Sequence, residues 1–263
     1  MDIQALIGVN ITQFLLGFVR ATGVVLTAPV FQNRSIPPQA KALLCGTLAV
    51  VAAPYINSNT EIMDYYFWMA VAVLIQELLV GLIIGFMVSL TLYGVQLAGY
   101  FFDVPMGFGI VNIVDPSSGT ELPLLGQMNF IIASMIFLAI NGHHTVIRTF
   151  IKSYAIIKPG MFFLKKEAVG VFVQAFSAMF YFGFKIGIPI IGAIFLTDVA
   201  LGIIAKLIPQ VNVFVIGLPV KIIVGLCLLT VFLPVYIFLI EKSFANSGDT
   251  FKMLQLMLKQ LYR

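Results

Sequence analysis

Apolar residues run through this chain in long blocks, separated by short polar links. Ile3 to Pro29 is interrupted only by Arg20, and a link with Asn33, Arg34, Ser35, Pro37 and Pro38 follows. Ala40 to Ile56 is rich in Ala and Leu, with Lys41 at its start, and is marginal as a lipid-facing span. Asn57 to Asp64 is an acidic turn. Tyr65 to Phe102 then carries a single charge, Glu77. As one helix it would be about 57 Å long, against roughly 30 Å of hydrocarbon. It is therefore a tight hairpin or one long helix that leaves the bilayer plane. Gly81 and Gly85 form a GxxxG pair there, suited to close helix contact.

Asp103 to Pro123 breaks the pattern. Its first half is itself apolar, yet Pro105, Gly107 and Gly109 argue against a regular helix. Apolar, non-helical backbone at membrane depth must be buried in protein or line a cavity, because lipid cannot satisfy its N–H and C=O groups. The segment is a candidate gate. Leu122 to Gly142 is uncharged and long enough to span, and Asn141-Gly142-His143-His144 ends it. The link from Arg148 to Glu167 is basic, with Lys152, Lys158, Lys165 and Lys166, so the positive-inside rule places it in the cytoplasm.

Ala168 to Ala205 is again overlong and holds Lys185, Pro189, Asp198 and a second GxxxG pair, Gly183 and Gly187. Ile208 to Asn212 reads as a turn, and Val213 to Ile240 as another apolar segment with Pro219 and Lys221 near its start. In Glu241 to Arg263, residues Phe251, Leu254, Leu258 and Leu261 recur at helical spacing between Lys252, Lys259 and Arg263. That tail is expected to be an amphipathic helix.

Composition agrees with the pattern. Of 263 residues, 60% are hydrophobic and 10% charged, and mean hydropathy is +1.05. Soluble domains carry about 25% charged residues, so the chain reads as an all-α integral membrane protein. The net charge of +4 comes from basic residues near segment ends. Membrane topology explains them without nucleic acid. Cys45 and Cys227 lie in apolar runs and read as small core residues. Asp2 precedes the first apolar run and no Lys or Arg comes before Arg20, so a cleaved signal peptide is not expected.

Arg20, Lys41, Glu77, Lys185, Asp198, Lys206 and Lys221 all sit in or beside apolar runs. Each would cost a few kcal/mol at the centre of a lipid-exposed helix. Such helices face protein or water, as in one subunit of a larger assembly. Glu77, Asp198, Lys206 and Lys221 fit ion pairs and register pins better than a proton relay. His143 and His144 are neighbours whose side chains point about 100° apart on a helix, unlike zinc-binding i,i+4 pairs. No nucleotide, nucleophile or metal motif is present, so no enzyme activity, cofactor or metal is expected.

Three stretches resemble a known family: Gly109-Ile110-Val111-Asn112-Ile113-Val114-Asp115-Pro116-Ser117-Ser118-Gly119 leading into Pro123-Leu124-Leu125-Gly126-Gln127; Asn141-Gly142-His143-His144; and Thr197-Asp198-Val199-Ala200-Leu201-Gly202 followed by Pro209-Gln210-Val211-Asn212-Val213-Phe214. In this order they resemble the FliR family, core subunits of the bacterial flagellar type III export gate, with relatives in injectisomes. The resemblance extends to Ala28-Pro29-Val30-Phe31 and Arg34-Ser35-Ile36-Pro37, and so covers essentially the whole chain.

The resemblance implies long helices and hairpins, with a FliP-like region over 1–167 and a FliQ-like hairpin and tail over 168–263. It implies one copy of the chain assembled with FliP-like and FliQ-like subunits, beside FlhB-like and FlhA-like proteins, in the inner membrane at the flagellar basal body. Such a channel passes unfolded flagellar axial proteins, driven by the proton motive force with help from a cytoplasmic ATPase. The loop 104–123 would hold the plug, formed by Met106, Gly107, Phe108, Gly109, Ile110, Val111, Asn112, Ile113 and Val114. Asp115, Pro116 and Gly119 would anchor it, and Glu77, Lys185, Asp198, Lys206 and Lys221 would serve assembly. An injectisome gate subunit and a secondary transporter for a small solute are the competing readings. Two similar halves, common in transporters, are not evident.

Overall fold

The computed structural model describes residues 10–32, 36–56, 67–108, 123–210, 212–244 and 249–262. The elements are α1 (Ile11–Thr27), α2 (Pro38–Ala52) with a 3-10 turn (Ala53–Tyr55), α3 (Phe67–Met106), α4 (Leu124–Ala139), α5 (Gly142–Ile156), α6 (Lys166–Leu207), α7 (Val213–Phe244) and α8 (Asp249–Gln260). Every named element among the described residues is helical, and a helix pairs its backbone N–H and C=O groups within its own segment, as lipid demands. Among the described residues, three helices (α3, α6 and α7) are long and apolar enough to cross a membrane. The bent pair α4–α5 would make a fourth span.

Three local expectations change. Of the two readings of Tyr65 to Phe102 the single long helix holds, α3 being one helix of 40 residues; what changes is that it runs on through Asp103, Val104 and Pro105 to Met106. Pro105 has no N–H to donate to the Phe101 carbonyl four residues back, so α3 forgoes one intrahelical bond there, and it ends two residues later at Gly107. Leu122 to Gly142 is no simple span. Asn141, in the left-handed conformation (φ 58°), separates α4 from α5, and the two helices bend by 70°. Asparagine tolerates that conformation better than branched residues do. The basic link begins within a helix, since Arg148 and Lys152 lie in α5, and Lys158 and Lys165 follow in the connection to α6.

The described residues form two compact units. The first draws on Met1–Leu90, Leu138–Phe176 and Ser243–Arg263. Its centre is a crossing of α1 and α3 made possible by glycine. A Cβ added to Gly23 would stand 2.5 Å from the Leu78 carbonyl oxygen, and one added to Gly81 would collide with the Arg20 carbonyl. Thr27 Oγ1 bridges the same crossing by donating to Leu82 O at 3.1 Å. The expected amphipathic tail is α8. It buries Leu254, Met257 and Leu258, with Leu261 just beyond its end. Its end clips to the α5–α6 link, where Phe163 N donates to Leu261 O at 2.9 Å and Phe162 pairs with Tyr262 as an isolated antiparallel bridge.

The second unit draws on Thr91–Phe137 and Ser177–Lys242. Here Gly99 of α3 meets Gly126 of α4: a Cβ on Gly99 would stand 2.6 Å from the Gly126 Cα. Gly94 meets α6 in the same way, 3.0 Å from Met179 O. Phe101 and Phe184 stack at 4.4 Å between ring centroids, an arrangement worth about 0.5–1.5 kcal/mol beyond area burial.

Candidate functional site

The second unit contains the base of the proposed gate. α3 stops at Gly107, whose φ of 95° admits no ordinary side chain without strain. Phe108 N donates to Asp103 O at 3.1 Å and Gly107 N to Val104 O at 3.0 Å. This double pairing is the Schellman ending, which satisfies carbonyls the helix would otherwise leave open. Asp103 has a second role. It is buried, and its Oδ1 accepts a hydrogen bond from Leu125 N at 3.0 Å, in the first turn of α4. Pro123, the preceding residue, has no side-chain oxygen with which to cap that turn. One aspartate therefore binds the described residues on both sides of 109–122: its carbonyl takes Phe108 and its carboxylate Leu125.

Met106 is wholly buried, and a Cβ added to Gly225 of α7 would collide with its Cε and Sδ. The thioether thus fills the space a side chain at 225 would need. Beside it lies a cavity of about 400 Å³, bordered by Val104, Pro105 and Gly107 of the α3 end and by Leu201, Gly217 and Leu218 of α6 and α7. Asp198 and Lys221 form an ion pair on its wall, with side chains 42% and 23% exposed. Partial exposure makes this pair tolerant of loss, unlike a fully buried one.

The first unit holds the other pair. Arg20 of α1 and Glu77 of α3 are 0% and 1% exposed. Arg20 Nε donates to Glu77 Oε2 at 2.7 Å and Nη2 to Oε1 at 2.9 Å. Nη1 reaches Ser153 Oγ at 2.8 Å and Nη2 the Ile157 carbonyl at 3.2 Å. The guanidinium lies 3.8 Å over the Tyr154 ring. A planar fork suits such bidentate, stacked burial, and an ammonium could not reproduce it.

The sequence-predicted residues thus divide. Glu77 pairs with Arg20, and Asp198 with Lys221, both within the chain. Lys41 donates to Gln32 O at 3.1 Å. Lys185 lies 6.0 Å from the Tyr181 ring, and Lys206 is exposed near the α6 end. Met106, Gly107 and Phe108 are placed as described. Gly109, Ile110, Val111, Asn112, Ile113, Val114, Asp115, Pro116 and Gly119 lie outside the described residues. His143 and His144 sit with ring centroids 4.3 Å apart, and no group of three potential metal ligands occurs among the described residues. Sequence reasoning missed the paired roles of Asp103. Its available signal was a lone acid at the end of an apolar helix, just ahead of Pro105 and Gly107.

Residues 11–247 match the family described as bacterial export proteins, family 1. The flagellar biosynthetic protein FliR of Bacillus subtilis is 34% identical over 244 residues, covering 91% of this chain and 93% of the relative. The chain belongs to the FliR family of bacterial export proteins. FliR of Escherichia coli is 28% identical across 87% of each chain. FliR of Aquifex aeolicus is 26% identical across 90% of this chain and 92% of its own. The FliR family match takes in both ion pairs, the glycine crossings and Asp103, and ends just short of α8.

Proposed function

We propose that this chain is a channel-forming core subunit of the flagellar type III protein-export gate in the bacterial inner membrane. It is a component of the flagellar export apparatus whose task is to let unfolded axial proteins through and otherwise hold ions back. Support comes from membership of an export family whose matched relatives are named for flagellar biosynthesis. It comes above all from the way Asp103 ties both ends of an apolar, glycine-punctuated loop inside a membrane chain.

In this reading Met106 to Val114 seals the closed pore and Asp115 to Pro123 anchors it. Met and Phe suit a seal that must re-form around many passing sequences, because soft apolar side chains close by dispersion and dewetting and need no fixed partner. Met106, held against Gly225, is the fixed root of the seal. Residues 1–167 act as the FliP-like part and 168–263 as the FliQ-like part, whose long α6 and α7 are joined by a short turn. One copy assembles with FliP-like and FliQ-like subunits beside FlhB-like and FlhA-like proteins.

Deleting residues 109–114 tests the seal while leaving the α3 ending intact. The reconstituted complex should form at normal yield and leak ions or small dyes. An ion-tight deletion complex would overturn the gating role.

A further inference from the structure

The five expected assembly charges resolve into two kinds. Glu77, Asp198 and Lys221 are satisfied within the chain. Lys185 and Lys206 are exposed and meet no carboxylate among the described residues. Both stand on α6, about 31 Å apart along the axis and about 60° apart around it. Between them the same side presents Ile188, Phe195, Val199 and Ile203, which are 45–64% exposed.

Two glycines lie on or beside this face. A Cβ at Gly192 or Gly202 would meet nothing within 4 Å. Gly183, on another side of α6, is different: a Cβ there would stand 2.9 Å from Gly94 O. Glycine inside a helix costs roughly 0.5–1 kcal/mol relative to alanine. Packing within the unit accounts for Gly183 and gives no reason for Gly192 or Gly202. A close approach by a backbone from outside does.

We infer that this face of α6 receives an apolar helix of a partner subunit that carries carboxylates facing Lys185 and Lys206. The inference rests on the export-gate reading and names the chemistry of the contact. Charge complementarity selects the occupant: two unpaired ammoniums on an apolar face call for two anions. Lipid fits less well. A hydrocarbon slab spanning the distance between the lysines would enclose the half-exposed Asp198–Lys221 pair, at a cost of a few kcal/mol or more for each charge. Acyl chains also gain nothing from a backbone cleared of side chains at two points, whereas close helix packing does.

The test uses the full chain co-expressed with its FliP-like and FliQ-like subunits and purified through a tag on the FliP-like one. Lys185→Glu and Lys206→Glu should each lower the recovered complex at least tenfold, and Lys185→Arg should keep it. Gly192→Leu, whose Cβ would meet nothing within 4 Å, should also block assembly while the chain still accumulates in the membrane. Carbodiimide treatment of the wild-type complex should join Lys185 or Lys206 to a partner's Asp or Glu, identified by mass spectrometry. Failure of the wild-type chain to co-purify with these subunits would overturn the export-gate reading and this inference together. Normal assembly of wild type and both glutamate variants would overturn this inference alone.

Discussion

Arg20 and Glu77 lie 57 positions apart in the sequence and meet in a fully buried, two-pronged ion pair. Arg20 also binds Ser153 and the Ile157 carbonyl, so one guanidinium ties α1, α3 and α5 together. Removing either charge strands the other away from water. Arg20→Met or Glu77→Gln should cost about 3–5 kcal/mol, read as a lower thermal midpoint in detergent. The double variant Arg20→Met with Glu77→Leu should recover most of that loss. A relay role for Glu77 predicts instead that Glu77→Gln melts like wild type and fails only in secretion.

The α1–α3 crossing gives a second expectation. Gly81→Ala places a methyl group against the Arg20 carbonyl, and the neighbour is backbone that cannot rotate away. Overpacking of this kind costs typically 1–3 kcal/mol. Gly46→Ala, where a Cβ would meet nothing within 4 Å, should be neutral or slightly stabilising in the same melting assay.

Asp103 offers a direct probe of the loop. Asp103→Ala removes the bond to Leu125 N, a cap-type interaction worth about 0.5–2 kcal/mol. The carbonyl bond to Phe108 survives, because it belongs to the backbone. The assembled complex should therefore form but conduct ions between export events, while Asp103→Asn, which retains an acceptor, should leak less. Equal leak from both variants would make charge, not the hydrogen bond, the operative property.

Met106 and Gly225 should show strong coupling. Gly225→Ala forces the thioether to move and should destabilise the chain. Met106→Ala opens a cavity, with a cost of about 2–5 kcal/mol. Combining them should cost clearly less than the sum of the two, because the new methyl group enters the vacated space. Additive losses in a double-mutant cycle would show that the two sites do not share that space.

Much of this architecture was legible beforehand. The uninterrupted apolar runs gave α3, α6 and α7, and the spacing of Leu254, Leu258 and Leu261 gave the tail helix. Pro105 argues against a helix because proline lacks a backbone donor, yet α3 gives up that one bond and continues to Met106, which depends on packing that the sequence does not display. The break at Asn141 was hidden inside a uniformly apolar stretch whose hydropathy carries no signal for direction. Partners were the hardest to read. Nothing local distinguishes Arg20, which finds a carboxylate far along the chain, from Lys185, which finds none among the described residues. Asp103 was overlooked because its importance depends on Leu125, which arrives only after the chain has left and returned.

The clip between Phe163 and Leu261 bears on how the protein is made. A ribosome delivers the α5–α6 link long before the residues that cap it. The first unit therefore stays open at that edge while all of α6 and α7 are being inserted. Its closure follows the synthesis of α6 and α7, and any partner needing the finished edge must wait until α8 has been made and docked.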